Sequence, residues 1–204
     1  MTGPNAAFWH ARFMAGDTPW DRGVPGPQLL AWIDAGALAP CRICVPGCGR
    51  GWDVVELARR GFDVTAIDYA DAACDATRAA LAAAGLRAEV VQADVLAWRP
   101  DRPFDAVYEQ TCLCAQHPTC WQRYETSLSA WVRPAGRLFA LFMQRMRPSA
   151  SEQGLIEGPA YHCDINAMRM LFDDARWVWP APPYARVGHP GGSHELGMVI
   201  ARRG

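Results

Sequence analysis

A short apolar strand that runs directly into alternating glycines fits few folds, and this chain carries one. Arg42-Ile43-Cys44-Val45 reads as a strand, and Pro46-Gly47-Cys48-Gly49-Arg50-Gly51 follows at once. Val54, Leu57 and Ala58 then fall at helical spacing, which predicts a helix over 53–60. Strand, glycine turn and helix in succession form the first half of a βαβ unit. In such a unit the turn sits at the carboxyl end of the strand, where ligands bind. Glycines let the backbone approach the ligand, and the helix start offers free N–H groups.

The rest of the chain continues the alternation. Strands are predicted over 62–67, 87–92, 104–109 and 137–143, with helices over 71–84, 119–132 and 165–172. Two last strands, 175–179 and 196–201, have no helix between them and predict an antiparallel edge. The sum is an α/β fold: a doubly wound, mostly parallel seven-stranded sheet with helices on both faces and an antiparallel last strand. A length of 204 residues fits one domain. Residues 41–204 form its α/β core, and 1–40 form an N-terminal flap or helical cap with a helix near 28–35. The Gly-, Pro- and Ser-rich stretch 147–164 is a long connection, suited to a second wall of a site.

Composition excludes several functions. Lys+Arg number 20 against 21 Asp+Glu, so no basic footprint for nucleic acid or an anionic membrane exists. Every basic residue other than histidine is arginine. Schiff-base chemistry and a P-loop lysine are therefore ruled out. Residues 1–17 lack a basic patch followed by an apolar run, and the apolar stretch 138–143 is too short to span a bilayer. The expectation is a cytoplasmic protein with its 8 cysteines reduced. Cys41-x-x-Cys44 has zinc-like spacing, but three residues apart on a strand the two side chains point to opposite faces. No metal site is expected. With no heptad seam, a monomer is the default.

The spacing Gly47-x-Gly49-x-Gly51 departs from the dinucleotide fingerprint, whose third glycine would fall at Trp52. Asp53 in the first helical turn also disfavours a pyrophosphate there. Asp68, 21 residues after Gly47, closes the second strand, where a carboxylate can accept from both ribose hydroxyls. Asp94 follows the third strand with Val95 and Leu96 behind it, one polar contact and an apolar face for an adenine. Three strand ends thus carry residues suited to a nucleoside.

With these residues in place, the chain resembles the thiopurine S-methyltransferase superfamily, and in particular its thiol and halide methyltransferase branch. The resemblance rests on Thr18-Pro19-Trp20-Asp21, Val45 through Val54, Asp68, Phe104 through Glu109 running on to Leu113-Cys114-Ala115, and Gly158-Pro159-Ala160-Tyr161. It implies a Rossmann-like class I methyltransferase fold using S-adenosylmethionine. It implies that Trp9 and Trp20 close over the cofactor, while Gly47, Asp68, Asp94 and Val95 hold it. Gln110 aligns beside the methionine part of the cofactor, and Tyr161 near the transferable methyl.

Transfer of a methyl group from a sulfonium to an anionic nucleophile cancels charge, so it favours a site walled from water and well aligned. Aromatic faces such as Trp9, Trp20 and Tyr161 can hold the cation, whereas Trp32, on an apolar helix face, reads as packing. The implied acceptor is a small thiol, with halide and metalloid anions as alternatives. A nucleotide-dependent oxidoreductase and a non-catalytic binding module are the readings from other classes. His10, His117, His162, His189 and His194 are spread through loops, and nothing in the sequence selects one as a base.

Overall fold

Side chains alternate along the central strands between two hydrophobic cores, one on each face of the sheet. In β1 (Arg42–Pro46), Ile43 and Val45 enter one core and Cys44 the other. In β4 (Phe104–Gln110), Ala106 and Tyr108 face the first and Val107 the second. In β5 (Val132–Gln144), Phe139 and Leu141 oppose Leu138, Ala140 and Phe142. Burial on both faces is what a parallel sheet between two helical layers requires.

The computed structural model describes residues 3–153 and 156–204. Residues 1, 2, 154 and 155 lie outside it, the last two within the 147–164 connection. The remaining strands are β2 (Asp63–Asp68), β3 (Glu89–Gln92), β6 (Trp177–Val178), β7 (Ala185–Gly188) and β8 (His194–Arg202). Their order is β3-β2-β1-β4-β5-β8-β6, with β7 paired to the start of β8. β1 through β5 run parallel, and β8 returns antiparallel to β5 over Arg137–Gln144. The chain leaves β3 at one edge and re-enters as β4 beside β1. The crevice at that reversal is where ligands bind in open α/β sheets.

Helices fill both layers. α2 (Pro27–Asp34), α3 (Trp52–Arg59) and α4 (Asp71–Ala83) contribute Leu29, Trp32, Val54, Leu57 and Leu81 to one core. α6 (Trp121–Trp131) and α8 (Ile165–Leu171) contribute Tyr124, Leu128, Trp131 and Met168 to the other. Trp32 packs edge-on against Phe139 at 5.2 Å between ring centroids. The short helices α5 (Cys112–Ala115) and α7 (Pro148–Gln153) follow β4 and β5. α1 (Ala6–Met14) lies beside α4. Among the described residues no helix is long and apolar enough to cross a membrane.

Several details differ from the sequence expectation. The sheet has eight strands, because the four residues of β7 add a pair to β8 that their short, mostly exposed pattern does not announce. The helix predicted over 119–132 begins as a 3-10 turn at Pro118–Cys120, and Val132 already belongs to β5. α1 was not predicted because it buries no residue fully, so its apolar side chains leave no core-facing stripe.

Gly51, at the start of α3, has φ +79°. A Cβ there would lie 2.8 Å from Thr77 Oγ1 and 3.0 Å from Thr77 Cα, on α4. Gly51→Ala is expected to destabilise the protein by about 2–4 kcal/mol, from left-handed strain plus overpacking. For a chain of this size that lowers the melting temperature by roughly 5–15 °C. Thermal denaturation followed by circular dichroism checks it, and an unchanged midpoint would show that α4 gives way freely.

Candidate active site

The glycine loop is shaped by its backbone. Gly47 and Gly49 both adopt left-handed φ, +64° and +55°, which side-chain-bearing residues rarely do. A Cβ on Gly47 would approach Cys112 Cβ at 3.0 Å, so the loop and the start of α5 meet closely. The Cys48 N–H donates to the Ile67 carbonyl (3.1 Å), and Thr77 Oγ1 donates to the Gly49 carbonyl (2.9 Å). These bonds tie the loop to β2 and α4.

Asp68 ends β2 and is buried. Its Oδ2 accepts from the Gly49 N–H (3.1 Å) and its Oδ1 from the Ala70 N–H (3.0 Å). Burial pushes its pKa up, and the backbone N–H groups of Ala70, Gly49 and Tyr69 oppose that rise. The carboxylate is therefore fixed in one orientation with lone pairs left for a ligand. Tyr69 Oη donates to the Pro4 carbonyl (2.9 Å), anchoring the chain ahead of α1. After β3, Asp94 Oδ1 accepts from the Leu96 N–H (2.8 Å), a turn that presents Asp94, Val95 and Leu96 together.

A single cavity of about 570 Å³ runs along the carboxyl ends of these strands. Of the residues singled out by sequence, Trp9, Trp20, Gly47, Gly49, Asp68, Asp94 and Val95 all line it. The N-terminal segment forms its outer wall. Trp9 and Trp20 meet edge to face at 5.3 Å, and the Arg12 guanidinium sits 5.1 Å from the Trp20 ring centroid. Asp21 latches this wall to the glycine loop: it pairs with Arg50 (3.0 Å) and accepts from Trp52 Nε1 (2.8 Å).

Gln110 and Tyr161 are not among the residues lining this cavity. Gln110 Oε1 accepts from Tyr108 Oη (2.6 Å), and its Nε2 donates to Glu195 (2.9 Å). Gln110 lines a smaller cavity of about 80 Å³ that shares Phe13, Trp20, Gly47, Gly49 and Thr111 with the larger one. Tyr161 is buried, with its ring edge-on to His117 at 5.4 Å. His117 does line the large cavity, so Tyr161 stands one layer behind the wall.

The strand order sorts the cavity chemically. Both acids in its wall, Asp68 and Asp94, lie beyond β2 and β3. Beyond β5 and β8 it is lined by Met143, Arg145, Pro159, Ala160, His189 and Pro190, with no carboxylate. Sequence reasoning did not select Tyr69, Arg12, Arg145 or His189. No local motif marks them, and only the fold brings these loops together. Among the described residues no group of three His, Cys, Asp or Glu side chains is placed to hold a metal ion.

Residues 4–177 match the family described as Thiopurine S-methyltransferase (TPMT). The chain is 27% identical over 168 residues to the probable thiol methyltransferase 2 of Arabidopsis thaliana, covering 81% of this chain and 71% of that protein. It is 31% identical over 152 residues to thiocyanate methyltransferase 1 of the same plant, covering 73% and 63%. Among solved structures, it is similar to the Burkholderia thailandensis 1,6-didemethyltoxoflavin-N1-methyltransferase with bound S-adenosylhomocysteine. That likeness has a TM-score of 0.77 at 20% identity, covering 98% of this chain and 87% of that one. A structure solved for the conversion of a disulfide bond into a thioacetal group in echinomycin biosynthesis gives 0.78 at 23% identity, covering 97% and 93%. At these identities the structural likeness establishes the fold alone.

Proposed function

The chain belongs to the thiopurine S-methyltransferase family, and on that premise we propose that its large cavity binds S-adenosylmethionine and methylates a small thiol. The observation that carries this reading is the single cavity uniting the glycine loop, Asp68, Asp94 and the tryptophan pair. The donor set fits the cofactor: acids at one end for ribose and adenine, backbone without side chains in the middle, and aromatic faces opposite. S-adenosylmethionine supplies a methyl group on a sulfonium.

Asp68 accepts from the ribose hydroxyls, and Asp94 with Val95 receives the adenine edge and face. Gly47 and Gly49 let the backbone reach the methionine part, with Gln110 on the far side of the shared wall. Trp9 and Trp20 cover the cation and exclude water, which strengthens every polar contact inside. The acceptor enters between Arg145 and His189. Tyr161 acts on that end through His117, whose ring it supports. The acceptor is a small molecule, and the protein works as a cytoplasmic monomer that binds neither nucleic acid nor membrane.

Radiolabelled methyl transfer from S-adenosylmethionine to a panel of thiols, iodide and metalloid anions tests the proposal. Transfer to thiols, with iodide and metalloids as weaker acceptors, is expected. No transfer to any acceptor, despite saturable S-adenosylhomocysteine binding, would instead identify a binding module.

A further inference from the structure

Two histidines line the large cavity, His117 and His189, and their surroundings give them opposite tautomers. His117 Nδ1 accepts from the Thr119 N–H (3.3 Å) and lies 2.9 Å from Thr119 Oγ1, a hydroxyl that can donate to it as well. Neutral His117 therefore carries its proton on Nε2 and is a donor. His189 lies between β7 and β8, where its N–H donates to the Ser193 carbonyl (2.9 Å) and closes the turn. Its Nδ1 is 2.9 Å from the Pro190 carbonyl oxygen. A carbonyl can only accept, so Nδ1 carries the proton and Nε2 keeps a lone pair. That Nε2 is buried and has no hydrogen-bond partner among the described residues. Unpartnered buried polar atoms are rare enough to ask what would satisfy them.

We propose that His189 is the general base of the reaction, taking the proton of the acceptor thiol on Nε2. The proposal rests on the methyltransferase reading above. The S–H bond breaks, its electron pair stays on sulfur, and the proton forms the second N–H of an imidazolium. The thiolate then bonds to the methyl carbon as the bond to the cofactor's sulfur breaks, leaving a thioether and neutral S-adenosylhomocysteine. The imidazolium returns its proton to water.

The groups facing the ring keep it neutral in the resting protein. Burial lowers the pKa of His189, and the guanidinium groups of Arg22 and Arg145 lower it further, against the Pro190 carbonyl, which raises it. Arg22 donates to the Gly188 carbonyl (2.8 Å), the residue before His189. His189 is thereby held neutral at neutral pH with its Nε2 lone pair free, and the thiolate formed beside it offsets the cost of the imidazolium. Arg145, on the same wall, favours a thiolate beside it by opposite charge.

The discriminating experiment compares acceptors that need a base with acceptors that do not. In His189→Gln, kcat/KM for an alkyl thiol at neutral pH is expected to fall by about 100-fold, the usual worth of general-base catalysis. For 4-nitrothiophenol, already ionised, and for iodide, which has no proton, the fall is expected to stay within a few-fold. The alkyl-thiol rate of the variant should rise with pH as the free thiolate accumulates. A second readout needs no turnover. An alkyl thiol, protonated in free solution at neutral pH, added to protein loaded with S-adenosylhomocysteine should show ultraviolet thiolate absorbance by difference in the wild type and not in His189→Gln. Equal losses on all acceptors, or no loss on any, would overturn the assignment, as would unchanged thiolate absorbance. A wild type inactive on every thiol and on iodide would remove the methyltransferase reading and this proposal together, whereas wild-type activity with an insensitive variant removes only the base.

Discussion

Asp68→Ala is expected to weaken S-adenosylhomocysteine binding by a factor of roughly 100 or more. Two ribose hydroxyls donating to one carboxylate contribute about 1.5–3 kcal/mol each, and 1.4 kcal/mol is a tenfold change in affinity. The same substitution removes the acceptor for the Gly49 and Ala70 N–H groups, so the glycine loop also loses one of its ties to β2. Asp68→Asn should fall between, because its amide can accept on one side only. Calorimetry on the two variants, with circular dichroism to confirm the fold, decides it. Wild-type affinity in Asp68→Ala would take Asp68 out of the site.

The second large effect concerns stability against pH. Glu109 on β4 is buried. Its Oε1 accepts from the Leu113 N–H (2.6 Å), and its Oε2 has no partner among the described residues. Burial pushes its pKa up to about 8, and Glu195 adds to the rise against the Leu113 and Cys112 N–H groups. Burial likewise lifts Glu195 to about 7, opposed by Gln110 and Arg22, and Asp53 to about 6, opposed by the Gly26 N–H and Arg22. Unfolded carboxyls titrate near 4, so the folded protein binds these protons more tightly than the unfolded chain. Protonation thus stabilises the fold fully at pH below about 4, and this contribution is lost as pH rises through 6 to 8.

The ligand-free protein should therefore melt at progressively lower temperature from about pH 5.5 to about pH 8.5. Glu109→Gln keeps the shape of the protonated acid. It should flatten that slope and gain on the order of 3 kcal/mol over the wild type at the alkaline end. Melting curves across this range test both statements. A midpoint that climbs with pH, or a Gln variant that is no steadier, would mean that Glu109 is solvated in the folded state.

Much of the architecture was legible because it depends on local pattern. The glycines at 47, 49 and 51 marked the strand-to-helix turn, and the apolar runs of β1, β2 and β4 marked strands buried on both faces. What escaped was weakly patterned. α1 buries nothing fully, β7 is four mostly exposed residues, and β6 keeps only two of the five residues predicted over 175–179. Such elements form because a neighbour holds them, β8 for the strands and α4 with Tyr69 for the helix.

The candidate site divides along the same line. Gly47, Gly49, Asp68, Asp94 and Val95 were readable because each follows a strand, and a parallel sheet brings strand ends to one edge. Arg145 and His189 were not, since 44 residues separate them in sequence. Only the antiparallel return of β8 beside β5 brings the two ends together. The sequence by itself determined the glycine loop and the end of the cavity that carries Asp68 and Asp94, because backbone conformation and strand-end position are local properties. That the His189 ring stands in the cavity wall beside Arg145 was decided by the tertiary structure, because Pro190 sets its tautomer locally but only the return of β8 beside β5 brings it there.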